Sequence, residues 1–151
     1  MAMTMHGEYQ LPVAPQTVWE KLNDADTLKL CIPGCEQLDK LSDTELQAVA
    51  TLKIGPVKAK FKGKVTLSDL NPPHGYKISG QGDGGVAGFA KGGATVKLEP
   101  KDGGTLLSYD VEAQIGGKLA QLGQRLVNGA AKKVADDFFA NFAKAVNPAA
   151  S

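Results

Sequence analysis

From Lys118 to Val146 the chain runs 29 residues without a proline, and apolar side chains recur at Leu119, Leu122, Leu126, Ala130, Val134, Phe138 and Phe142. Steps of three or four keep these side chains on one face of a helix. Such a helix would be about 43 Å long. That is too long for a single neighbouring helix to cover, but a curved sheet could carry it. Several positions on or beside the stripe are small: Gly123, Gly129, Ala130, Ala131 and Ala135. A sheet wrapped around this helix need not fill the space beside them, and that space is where a function is expected.

The residues before the helix alternate as strands. Met3 to Leu11 reads as the first strand, and Pro12 to Pro15 breaks it. Pro15 suits the first turn of a helix containing Val18, Trp19 and Leu22, and a second short helix is expected over Asp26 to Leu30. A meander follows. Gln37 to Leu41 is a short strand, and Leu46, Ala48, Ala50, Leu52 and Ile54 share a face of the next. After Gly55-Pro56, Val57, Ala59, Phe61, Gly63, Val65 and Leu67 alternate with Lys58, Lys60, Lys62, Lys64, Thr66 and Ser68, the clearest period of two in the chain. Tyr76 and Ile78 begin a strand that runs into glycine. Ala90 to Leu98 and Leu107 to Ile115 alternate again, and Gly116-Gly117 precedes the helix. About seven antiparallel strands, with two short helices after the first and a long helix packed on the concave face, make an α+β domain. One domain over residues 1–151 is expected, with an ordered core of about 3–146.

A net charge of +1 from 17 basic and 16 acidic residues excludes a dedicated nucleic-acid binder. The N-terminus has no basic run leading into an apolar stretch, so no signal peptide is expected. No apolar run is long enough for a transmembrane helix. The expected location is cytoplasmic.

Gly80, Gly82 and Gly85 match G-x-G-x-x-G, but a strand follows instead of the helix that a dinucleotide site needs. Cys31 and Cys35 lack two further ligands for zinc, since His6 and His74 lie in unrelated elements, so no metal site is expected. Neither thiol is read as reactive, and both read as small packing residues beside Pro33-Gly34. No serine sits on a sharp strand-to-helix turn, and no catalytic residue is assigned. Seven of the fourteen residues from Gly80 to Gly93 are glycine, with Phe89 among them. A flexible Gly84 to Gly93 loop tipped by Phe89 could cover a pocket. The lysine row reads either as a solvated face or as a docking surface.

The element order resembles the START-like, helix-grip superfamily (SRPBCC), the fold of the major birch pollen allergen. Within it, from about Met5 to Val146, the chain resembles the family of the carbon monoxide dehydrogenase G subunit. The residues that carry the resemblance are the early Gly-Glu-Tyr with Pro15-Gln-Thr-Val-Trp19, Cys31-Ile-Pro-Gly-Cys-Glu36, Ile54-Gly-Pro-Val57 with its lysine-alternating strand, Gly80-Gln-Gly-Asp-Gly and Gly88-Phe-Ala-Lys-Gly92. The resemblance implies an accessory protein of a molybdenum-containing carbon monoxide dehydrogenase or related hydroxylase. It implies membrane recruitment of that enzyme, peripheral to the inner face, and handling of an apolar ligand, quinone-like or lipid-like, with no covalent cofactor. Longer relatives carry a C-terminal tail that could reach the membrane. The sequence here ends at Asn147-Pro-Ala-Ala-Ser151, so an anchor of its own is not expected.

The expected ligand site lies between sheet and helix, with Trp19, Phe61, Tyr76 and Tyr109 as large inward residues and Gly63 among the small ones. Leu122 and Leu126 contribute from the helix and Phe89 from the loop. Lys58, Lys60, Lys62 and Lys64 are the expected docking row. Two alternatives stand beside the carrier: a cyclase or isomerase of the same fold, and a ligand-free adaptor that docks through the lysines.

Overall fold

The computed structural model describes residues 1–146. Strand β1 (Ala2–Leu11) leads into helices α1 (Pro15–Leu22) and α2 (Ala25–Cys31). Pro15 occupies the first turn of α1, where its missing N–H costs nothing. Asp24 caps α2, its carboxylate accepting from the Thr27 N–H at 3.3 Å and the Thr27 hydroxyl at 2.6 Å. The meander comprises β2 (Cys35–Lys40), β3 (Glu45–Ile54), β4 (Val57–Asn71), β5 (Gly75–Asp83), β6 (Phe89–Lys101) and β7 (Gly104–Gly116). A 3-10 turn, Gly85–Ala87, joins β5 to β6. After β7 come α3 (Lys118–Gln121) and α4 (Gln124–Val146).

The seven strands form one antiparallel sheet in the order β1-β7-β6-β5-β4-β3-β2. Hairpins join β2 through β7 in sequence. The first strand instead crosses to pair with the last, Ala2 opposite Gln114 and Leu11 opposite Thr105. The two short helices make that crossing. Thr105, fully buried, ties the corner: its hydroxyl donates to the Val13 carbonyl at 2.7 Å. Beneath it Leu11, Val18, Leu98, Leu107 and Phe142 are almost completely buried and bind sheet, α1 and α4 into one core.

The single helix of 29 residues is corrected to two. Gly123 has φ +92°, left-handed backbone that ends α3, and α4 starts afresh at Gln124. The break resets the phase of the stripe. Val127 turns inward and is buried, whereas Leu126 is 40% exposed and lies over Gly55 in the β3–β4 turn. Among the described residues no helix is long and apolar enough to cross a membrane.

Candidate functional site

Small side chains face one another across the sheet–helix interface. Gly82, Ala90 and Ala113 belong to the strands, and Ala130, Ala131 and Ala135 project from α4. None can reach across, so the interface leaves a cavity of about 480 Å³ that is partly open to solvent. Phe61, Ile115, Leu119 and Phe138 supply its larger walls, and no lining residue carries a polar side chain. Phe61 can lie flat there because Gly84 has no side chain: a Cβ at that position would run into the ring.

A second chamber of about 260 Å³ lies toward α1 and β2. Ile32 and Phe138 border both chambers. Ile32 is held where α2 ends, because the Asn141 amide of α4 donates to the Cys31 carbonyl at 3.1 Å. Tyr76 lines the smaller chamber, with Trp19 packed edge-on against it at 5.3 Å between ring centroids. Burial holds the Tyr76 phenol above its ordinary pKa.

On the open side of β1, Met3 and Met5 also border a polar groove that holds Tyr109, Lys132 and Asp136. Tyr9 and Lys132 each donate to the Asp136 carboxylate at 2.6 Å. The Lys132 bond, and then the Tyr9 bond, lower the Asp136 pKa. The Phe139 ring of α4 stacks on both Tyr9 and Tyr109. Tyr109 thus packs inside the sheet but borders this groove and not the apolar cavity.

The expected site residues divide accordingly. Phe61 lines the larger chamber and Tyr76 the smaller, while Trp19 backs Tyr76. Gly63 borders neither chamber; its strand neighbour Gly82 does. Leu119 and Val127 line the chamber in place of the expected Leu122 and Leu126; α4 restarts after the break at Gly123, so Val127 and not Leu126 turns inward. Phe89 is corrected most. It opens β6 instead of tipping a loop, and Ala90 beside it faces the cavity, so Phe89 points to the outer face. There its ring covers Gly116, leaving no room for a Cβ. The tip of the β5–β6 turn is Val86, 86% exposed. That turn is closed by the Gly84 N–H donating to the Gly88 carbonyl at 2.8 Å.

The lysine row projects outward as expected, but register gives half of it partners. Lys60 pairs with Glu36 at 3.2 Å and Lys64 with Glu45 at 3.4 Å. Lys58 and Lys62 have no carboxylate within salt-bridge reach among the described residues, and Lys53 stands directly opposite Lys58. Cys31 and Cys35 are free thiols, and burial pushes both up from their ordinary pKa, away from the reactive thiolate. Among the described residues no three His, Cys, Asp or Glu side chains gather as a metal site would require.

The chain is similar to a conserved protein of solved structure from Geobacillus kaustophilus, with 33% identity over 95% of each chain and a TM-score of 0.89. A protein from Thermus thermophilus shares 16% identity over 99% of this chain and 100% of that one, with a TM-score of 0.73. The Zhui aromatase/cyclase from Streptomyces sp. R1128 shares 10% over 97% and 94%, with a TM-score of 0.68. The last two likenesses show the helix-grip fold alone. No curated protein matches the sequence. The family model for the carbon monoxide dehydrogenase G subunit (CoxG) matches residues 7–147.

Proposed function

The chain belongs to the CoxG family, that of the carbon monoxide dehydrogenase G subunit, and on that premise we propose that it is a non-catalytic accessory protein carrying an apolar molecule between sheet and helix. The molecule is quinone-like or lipid-like. The enzyme served is a molybdenum-containing carbon monoxide dehydrogenase or a related hydroxylase, which the accessory protein helps bring to the inner membrane face. The observation that carries this reading is the cavity of about 480 Å³ with no polar side chain in its lining. Its size falls within the range of small-molecule sites. A cyclase or isomerase would need a proton donor or acceptor facing its substrate, and the larger chamber offers no such side chain.

Native mass spectrometry of the protein from a host of its own kind, followed by solvent extraction, tests the carrier. The expected result is an apolar molecule that co-purifies and is released by organic solvent. Protein that is clean and also ignores added quinones and lipids would overturn the carrier and leave the docking adaptor.

Docking is expected to run through Lys58 and Lys62, the two lysines of the row not already engaged by a carboxylate. Changing both to glutamate should slow association with the partner enzyme about tenfold at low ionic strength. The same change at Lys60 and Lys64 should do less, because Glu36 and Glu45 already offset their charge. Association measured by surface plasmon resonance that is indifferent to salt in the unmodified protein would remove this role for the lysines.

A further inference from the structure

The larger chamber has no group to orient a ligand, but the smaller one has one. Tyr76 is only 7% exposed, and among the described residues its hydroxyl has no protein hydrogen-bond partner. The oxygen keeps some accessible surface, and the Tyr76 side chain lines the chamber. Two other polar side chains border that chamber, each with one bond into the protein. The Asn23 amide donates to the Trp19 carbonyl at 2.9 Å, and the Lys40 ammonium donates to the Asn23 carbonyl at 3.3 Å. In a chamber walled mostly by apolar side chains, a ligand oxygen that reached this phenol would gain a hydrogen bond that the protein itself does not make. Held above its ordinary pKa by burial, the phenol stays a donor across the physiological range.

We propose that Tyr76 is the hydrogen-bond anchor of the ligand, donating to a carbonyl or hydroxyl oxygen at one end of a hydrocarbon. The oxygen seats in the smaller chamber. The hydrocarbon passes Ile32 and Phe138 into the larger one. This assignment rests on the apolar-carrier reading and narrows it: the cargo is a lipid-soluble molecule with an oxygen at its head, not a plain hydrocarbon. It also gives the two chambers different tasks, the smaller for recognition and the larger for affinity.

The test compares 2-undecanone with undecane by displacement of an apolar fluorescent dye, in the unmodified protein and in Tyr76→Phe. The ketone is expected to bind about tenfold tighter than the alkane, the worth of one buried hydrogen bond. In Tyr76→Phe the ketone should fall to the level of the alkane, whose own affinity stays unchanged. Trp19, the single tryptophan, gives a local readout through its contact with Tyr76. Its emission should shift with the ketone and lose that shift in the variant. Equal ketone affinity in the unmodified protein and in folded Tyr76→Phe would overturn the anchor while leaving the carrier standing. Failure of both probes to bind the unmodified protein would overturn the carrier, and the anchor with it. A singly prenylated naphthoquinone and a fatty alcohol then separate the two sources of such an oxygen. The class whose affinity falls in Tyr76→Phe is the class recognised, and a fall in neither counts against the anchor.

Discussion

Gly82→Phe should abolish useful binding of apolar ligands in a protein that still folds. Gly82 lines the larger chamber, and a Cβ built on it meets no heavy atom within 4 Å. Its backbone is extended strand, so a side chain brings no conformational penalty and removes the entropy cost that glycine carries. Phenylalanine also suits a strand. The ring must then occupy space that a ligand would use. Excluding three or four methylenes at about 0.8 kcal/mol each costs about 3 kcal/mol, a factor of about a hundred in affinity. Circular dichroism and thermal melting establish that the variant folds, and dye displacement measures binding. A folded variant with unchanged affinity would show that the cavity is not the binding site. Gly92 differs: a Cβ there would collide with the Glu112 carbonyl, so that glycine is required by the close approach of β7.

Phe142→Ala should lower the free energy of unfolding by about 3–5 kcal/mol. Phe142 is completely buried and stacks on Phe138, with ring centroids 5.9 Å apart. It holds α4 to the core formed by Leu11, Val18 and Leu107. Removing the ring loses its transfer free energy and opens a void that fixed neighbours on three elements cannot close. Against a typical stability of about 5–15 kcal/mol, that is a large share. Urea unfolding reads the change as a lower midpoint at a similar slope. Phe138→Ala should cost less, because Phe138 is only half-buried and already borders open space. A loss below about 1 kcal/mol for Phe142→Ala would mean that α4 is not docked through this residue.

What the residues disclose in advance depends on how local the signal is. Strands announce themselves through a period of two that needs no knowledge of their partners, and β4 with its lysine row is the clearest case. The order of elements and the docking of a helix on the concave face follow from the same patterns. The break at Gly123 is harder to read, because one glycine within an apolar period looks like a tolerated weak point until its backbone angle is known. The misplacement of Leu126 follows from that one position. The direction of Phe89 is available from alternation: with Ala90 facing inward, its neighbour must face outward. The glycine richness of the segment conceals that the strand begins there. The pairs Lys60–Glu36 and Lys64–Glu45 depend on register between strands, and Ile32 meets Phe138 only through tertiary packing. The unpartnered hydroxyl of Tyr76 is likewise invisible in a linear chain, since a residue's partners are set by every element around it.

The pairing of the first strand with the last also sets an earliest time for the cavity to form. During synthesis β2 through β7 can pair as successive hairpins leave the ribosome, whereas Met3 and Met5, which wall the larger chamber, have no seat until β7 emerges. Ala2 waits for Gln114 and Leu11 for Thr105. At roughly 5–20 residues per second, that delay is on the order of ten seconds. Until then β1 has no strand to pair with, and α4, made later still, has yet to cover the hollow. Closure is therefore among the last events in the maturation of the chain, and an apolar ligand held there would be taken up after translation, from whatever compartment or surface the finished protein meets.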